Sequence, residues 1–166
     1  MIEVRVDSIR VSLMSQHRVV VLRDIASPRY LPIWIGPAEA EAIAAELQGV
    51  RAPRPMTHDL FKNALTHLGA QITHVTITNL RTDTFYARIF LDLGKETTDI
   101  DSRPSDAIAL AVRARAPIYV SDEVFRTAGM EPEPGISVDE DDKLAPYRDF
   151  VESLDLKLPG DEGKPP

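Results

Sequence analysis

The sequence predicts an α+β domain with a mostly antiparallel or mixed sheet and three main helices. Three observations carry this. Segments with an apolar side chain at every second position are interspersed with segments of helical apolar spacing. Their order is three strands, two helices, three strands, then helix, strand and helix, rather than strict strand–helix alternation. The 166 residues are 43% hydrophobic and 27% charged, the composition of a globular chain long enough to bury a core without covalent staples.

Ile2, Val4 and Val6, then Ile9, Val11 and Leu13, alternate with polar residues, and the phase change at Asp7-Ser8 predicts a bulge in the first strand. Arg18 to Ile25 is the second strand, with Val19 to Leu22 apolar on both faces. A turn at Ser27-Pro28 leads into Tyr30–Ile35, where Pro32 has no N–H for a ladder and places this strand at a sheet edge. Pro37 opens an alanine-rich helix through Leu47, and Gly49 follows as a cap. Thr57 is placed to cap a second helix, in which Leu60, Phe61, Ala64, Leu65 and Leu68 form one apolar stripe.

Strands are expected around Val75 and Ile77, from Phe85 to Leu91, and from Glu96 to Ile100. Pro104 starts the third main helix, which runs through Ala114 and is stopped by Pro117. Its faces carry Ile108, Ala111, Val112 and Arg115, with Ala107 and Leu110 alongside. A short strand, Ile118–Val120, and a brief helix capped by Ser121 follow. The expected organisation is one domain over residues 1–130 and an acidic, proline-rich tail over 131–166, with helical spacing at 147–156.

The formal charge of −7 argues at first against nucleic acid, whose binding depends on neutralising phosphates. Its distribution changes that reading. Residues 1–130 hold fifteen basic and fifteen acidic side chains, whereas 131–166 hold four basic against eleven acidic. The predicted domain is neutral, and the acidity belongs to the tail. The absence of cysteine excludes disulfides, thiolate metal sites and cysteine nucleophiles. No apolar run reaches the roughly 18 residues of a membrane span, and the alternating start lacks a signal-peptide pattern. The expectation is a cytoplasmic protein with no membrane partner.

There is no phosphate-binding glycine loop, dinucleotide fingerprint, zinc-protease motif or serine nucleophile elbow. His17, His58, His67 and His74 have no chelating spacing. Two polar segments instead coincide with helix starts. In Arg54-Pro-Met-Thr-His-Asp59, the residues Asp59, Asn63 and His67 fall at i, i+4 and i+8. That line can assist hydrolysis, or Asp59 can simply favour the positive end of the helix dipole. In Ser102-Arg-Pro-Ser-Asp106, helix N–H groups beside Arg103 suit an anion, while an internal ion pair from Arg103 to Asp59 or Asp101 is the structural alternative. Glu39 and Glu46 share one side of the first helix and can hold a cation or pair with arginines. Tyr30 and Trp34 can stack a base or serve as core.

Several blocks together carry a resemblance: Leu31-Pro-Ile-Trp-Ile-Gly36, Ile43-Ala-Ala-Glu46-Leu-Gln-Gly49, Arg54-Pro-Met-Thr-His-Asp-Leu60, Phe85-Tyr-Ala87, and Ser102 to Leu110 with Pro117 to Val120. In this combination and order the chain resembles the bifunctional nuclease domain family over roughly residues 1–130, and especially its short bacterial, actinobacterial-like members. The resemblance implies an α+β domain of unusual topology that often self-associates, so a homo-oligomer is expected. Plant members of the family cleave both DNA and RNA, which implies a nucleic-acid partner and a phosphodiester hydrolase. Some bacterial members add a C-terminal UVR helical motif, and residues 131–166 hold a proline-rich acidic stretch instead.

The chemistry of the matched residues then assigns roles. His58, Asp59 and Asp106 are the catalytic candidates, with His58 as acid–base. Arg54, Arg103 and Ser105 are the substrate-binding candidates. Glu46, Asp59 and Asp106 are the candidate ligands of Mg²⁺ or Mn²⁺. The rival is a non-catalytic oligomeric module for a small anion or a protein partner, with the motif residues bonded to one another. A regulator whose acidic tail screens a basic groove is a third possibility.

Overall fold

The computed structural model describes residues 1–11 and 18–131. Leu13, His17 and the helix expected at 147–156 lie outside the described residues. The strands are β1 (Ile2–Val11), β2 (Arg18–Asp24), β3 (Tyr30–Ile35), β4 (Gln71–Arg81), β5 (Thr84–Asp92), β6 (Thr97–Ser102) and β7 (Ile118–Val120). The helices are α1 (Pro37–Leu47), α2 (Thr57–His67), α3 (Pro104–Ala114) and α4 (Asp122–Ala128). Among the described residues the strands form one seven-stranded sheet, ordered β3-β2-β1-β7-β4-β5-β6. Neighbours are antiparallel except β4 and β7, which run parallel. The α+β class with a mixed sheet is therefore as expected.

Local sequence explains the register. The β1–β2 ladder shifts between Val6 and Ser8, where the apolar phase changes. Pro32 lies in β3 at the sheet edge, where its missing donor costs no ladder bond. Val4, Leu22, Leu31, Val75, Ala87 and Ile89 face one side and join Ile43 of α1, Ile108 of α3 and Val124 of α4 in a single core. Each fully buried aliphatic side chain there contributes about 1.5–3 kcal/mol.

The helix starts position the candidate site. Pro37 and Pro104 each occupy a first-turn position. α3 is buried at Pro104 and Ser105, from Ala107 through Ala111, and at Arg113, with Asp106 partly exposed. It ends before Arg115, a non-glycine residue at φ +54°, so Arg115 leaves the helical face on which its spacing had placed it.

α2 departs from expectation twice. Its N-cap is Met56, not Thr57, and the Met56 N–H donates to Asp59 Oδ2 at 2.9 Å. Its apolar stripe is also not the packed face. Leu60, Phe61 and Leu68 are 63%, 42% and 82% exposed. His58, Asp59, Lys62 and Leu65 lie inward instead. The physical reason is polar: Asp59 and Lys62 bond Arg113 of α3, and this pins the helix in a rotation that leaves its apolar side outward.

Candidate active site

The first turns of α1, α2 and α3 place Glu39, His58, Arg103 and Asp106 in one bonded cluster. Arg103 Nε donates to Asp106 Oδ2 at 2.8 Å, and its Nη2 reaches Glu39 Oε1 at 2.8 Å and Asp106 Oδ1 at 3.1 Å. His58 Nε2 lies 3.1 Å from Asp106 Oδ1. Arg103 Nη1 has no acceptor among the described residues, and the Arg103 side chain is 65% exposed. Two donors of a fixed guanidinium therefore stay available to an incoming anion. Ser105 is buried at the second helical position of α3. The buried Oγ of Ser102, at the end of β6, has no partner.

A second polar group lies beside the first, because Asp59 is the chain neighbour of His58. Arg113 is almost wholly buried. Its Nε donates to Asp59 Oδ1 at 2.7 Å, its Nη1 to the Ala109 carbonyl at 2.9 Å and its Nη2 to the Ala42 carbonyl at 2.9 Å. Lys62 Nζ donates to the Arg113 carbonyl at 2.8 Å. Arg113 thus ties α1, α2 and α3 together behind the cluster. Asp59, Arg113, Glu46, Arg51 and Arg54 border an open cavity of about 230 Å³. Arg51 is paired with Glu46 at 3.0 Å, while Arg54 is exposed and without a polar partner among the described residues.

Electrostatics follow from these partners. Burial works against ionisation of Asp106, but hydrogen bonds from Arg103 and His58 outweigh it and hold the carboxyl below its ordinary value. The Met56 N–H, and then Arg113, hold Asp59 down likewise. Asp106 and Glu39 push Arg103 further upward. A depressed folded-state value means that each carboxylate contributes stability above the ordinary value near 4, lost as pH falls through the lower folded value. The D59N/D106N variant is accordingly expected to lose less stability than wild type between about pH 5 and pH 2, measured by urea unfolding. Parallel stability curves would contradict this assignment.

The expected residues therefore divide. His58, Arg103 and Asp106 meet, joined by Glu39. Glu46, Asp59 and Arg54 border the adjoining cavity, of which Asp106 is not a lining residue. Glu39 and Glu46 each bond a different arginine rather than one shared cation. Arg103 pairs with neither Asp59 nor Asp101. Asn63 and His67 are exposed on α2, so the i, i+4, i+8 line does not converge on the cluster. Arg113 was not singled out by sequence. Its signal is a charge within the otherwise apolar run from Ala107 to Ala114.

The proposed metal set does not fit a shared ion. Glu46, Asp59 and Asp106 are each bonded by a guanidinium. Among the described residues no three His, Asp or Glu side chains group as ligands. No helix of the described residues is long and apolar enough to cross a membrane.

Comparison with known proteins agrees with the motif blocks. An uncharacterized protein of Mycobacterium tuberculosis is 40% identical over 157 residues, covering 92% of this chain and 94% of its own length. Bifunctional nuclease 1 of Oryza sativa subsp. indica is 30% identical over 118 residues, 69% of this chain but 36% of the plant protein. Bifunctional nuclease 1 of Arabidopsis thaliana is 28% identical over the same length, again 36% of its own chain. The bifunctional nuclease domain profile matches residues 20–133, which include every residue of the cluster. The chain belongs to the bifunctional nuclease domain family.

Proposed function

We propose that the protein is a nuclease that hydrolyses phosphodiester bonds of DNA or RNA at the His58–Asp106–Arg103 cluster. The observation that carries this reading is an imidazole bonded to a carboxylate beside a guanidinium with a free edge. With Asp106 ionised as acceptor, Nε2 of His58 carries the proton and Nδ1 holds the lone pair. Nδ1 takes a proton from the attacking water as its oxygen bonds to phosphorus. The ester bond to the departing sugar oxygen breaks, and that oxygen is protonated by the imidazolium or by solvent. Arg103 Nη1 would hold the non-bridging oxygens as charge develops, while Ser105 is buried and Arg54 borders the adjoining cavity. Arg103 also neutralises Glu39 and Asp106, which would otherwise repel the phosphate. Because the carboxylates do not fit a shared Mg²⁺ or Mn²⁺ ion, no step is routed through a metal.

The test is cleavage of labelled single-stranded DNA and RNA by the purified protein and its Asp106→Ala variant, with Mg²⁺, Mn²⁺ or a chelator. Wild type is expected to cleave, and the folded variant to lose at least a hundredfold in rate. Equal trace activity in both would point to a contaminant. The second reading, a non-catalytic module for a small anion or a protein partner, would then prevail. It is favoured by one observation: Glu39, Arg103, Asp106 and His58 are linked in one bonded chain.

The expected self-association has a candidate surface in the outward side of α2. Leu60, Phe61 and Leu68 form an uncharged apolar strip that a second copy of the chain would cover. Leu60→Glu is expected to reduce the mass measured by light scattering to that of one chain. An unchanged multiple would place the interface elsewhere, and a wild-type monomer would remove the oligomer from the account.

A further inference from the structure

The sheet face opposite the core carries a row of aromatic and basic side chains. Tyr30, Arg23 and Arg5 are successive cross-strand partners on β3, β2 and β1. Val4 and Val75 both pair with Ile118, so Arg5 and His74 face each other across the start of β7. His74 pairs in turn with Phe90 on β5. All five alternate with the buried residues Leu31, Leu22, Val4, Val75 and Ile89, and none of the five is itself buried. The row spans six strands, or about 24 Å at the usual strand spacing.

Its chemistry is not that of an ordinary solvated sheet. Arg5 and Arg23 are directly opposed, an unfavourable like-charge pair. Neither has a carboxylate partner among the described residues. Arg23 instead sits over the Tyr30 ring, 5.9 Å from its centroid. At the other end the His74 ring stacks on Phe90 with centroids 4.2 Å apart, and Tyr119 meets His74 edge-on at 5.6 Å. Beyond Phe90 the row ends in Asp99, which is bonded to Arg88. Two guanidiniums without a bonded carboxylate, Arg5 having Glu3 two residues away on the same face of β1, lie between aromatic rings and complement a ligand that alternates anionic and planar groups.

We propose that this row binds single-stranded nucleic acid, forming a holding surface on the side of the sheet away from the helices that carry His58 and Asp106. Guanidiniums of Arg5 and Arg23 meet phosphates, and bases stack on the Tyr30 ring and on the Phe90 face turned away from His74. A duplex keeps its base faces stacked inside and cannot use the aromatic ends, so the surface selects single strands. The ligand class rests on the nuclease reading above; the surface itself rests on the sheet register.

The test uses the full chain and its R5Q/R23Q variant, with fluorescence anisotropy on a labelled oligothymidylate of about twenty nucleotides. Cleavage of the small diester bis(p-nitrophenyl) phosphate is measured alongside. The variant is expected to bind the oligonucleotide at least tenfold more weakly, with a shallower salt dependence, an unchanged melting temperature and an unchanged rate on the small diester. A Tyr30→Ala variant is expected to weaken single-strand binding without changing the salt slope. Unchanged oligonucleotide affinity in R5Q/R23Q overturns the proposal, as does preference of wild type for duplex. If no diester is cleaved but binding still depends on Arg5 and Arg23, the nuclease reading fails and the holding surface stands.

Discussion

Replacing His58 with alanine is expected to lower phosphodiester hydrolysis by roughly 10²–10⁴-fold, the usual contribution of a positioned acid–base group. The chain should remain folded. His58 lies in the first turn of α2, and its one side-chain bond, to Asp106, links two elements already joined through Asp59 and Arg113. Loss of that bond costs about 1 kcal/mol, small beside the catalytic loss. Asp106→Asn should have a similar direction for a different reason: an amide oxygen still accepts from Nε2 but no longer offsets a positive imidazole. Arg103→Gln should act on substrate affinity as well as rate, because it removes the Nη1 donors and leaves Glu39 and Asp106 facing the phosphate uncompensated. Circular dichroism on each variant separates chemistry from unfolding. A His58→Ala protein that is fully active and folded would remove the imidazole from the mechanism.

The largest stability effect is expected at Arg113, which touches no substrate in this account. Its guanidinium satisfies the Ala42 and Ala109 carbonyls and the Asp59 carboxylate from a position only 4% exposed. Arg113→Ala leaves the Asp59 carboxylate without its cation and takes the second bond from two carbonyls that keep their helical partners, for a loss of about 3 kcal/mol. Asp59→Ala should cost less, about 2 kcal/mol, because the Met56 N–H loses its acceptor and the buried Arg113 its counter-charge, while Arg113 keeps both carbonyl bonds. Arg113→Lys keeps a charge but not the three-way fork, and should fall between. Urea unfolding with a common m-value measures all three. Equal losses for Arg113→Ala and Asp59→Ala would mean that the carbonyl bonds contribute nothing.

These two positions show which parts of the molecule can be read from sequence. The strands were legible because alternation, a proline at an edge and a phase change at Asp7-Ser8 are local signals with local causes. The helix starts were legible for the same reason, through Pro37 and Pro104. The rotation of α2 was not. Its apolar stripe predicts a buried face, yet Asp59 and Lys62 bind Arg113, a residue 51 to 54 positions away. That choice is made by one buried guanidinium and leaves no periodicity behind.

The site divides in the same way. The types of residue at the helix starts pointed to His58, Arg103 and Asp106, and the structure brings these three together. Their pairing did not follow. Glu39 appeared as the partner of Glu46 because seven residues separate them on α1, whereas in space Glu39 bonds Arg103 and Glu46 bonds Arg51. Likewise Asp59 suited a cation ligand by type, and the fold instead gives it an N–H and a guanidinium. Spacing along one helix says which side chains share a face. Only the crossing of helices says which of them meet.

The central claim is that His58 carries the proton in phosphodiester cleavage at this cluster. It is tested most directly by the cleavage rate of a single-stranded oligonucleotide by His58→Ala, measured with and without free imidazole. The rate is expected to be at least a hundredfold below wild type and to be restored in part as imidazole enters the space left beside Asp106. A contaminating nuclease would give neither the loss nor the recovery. A His58→Ala rate equal to wild type and indifferent to imidazole would show that His58 does not carry the proton.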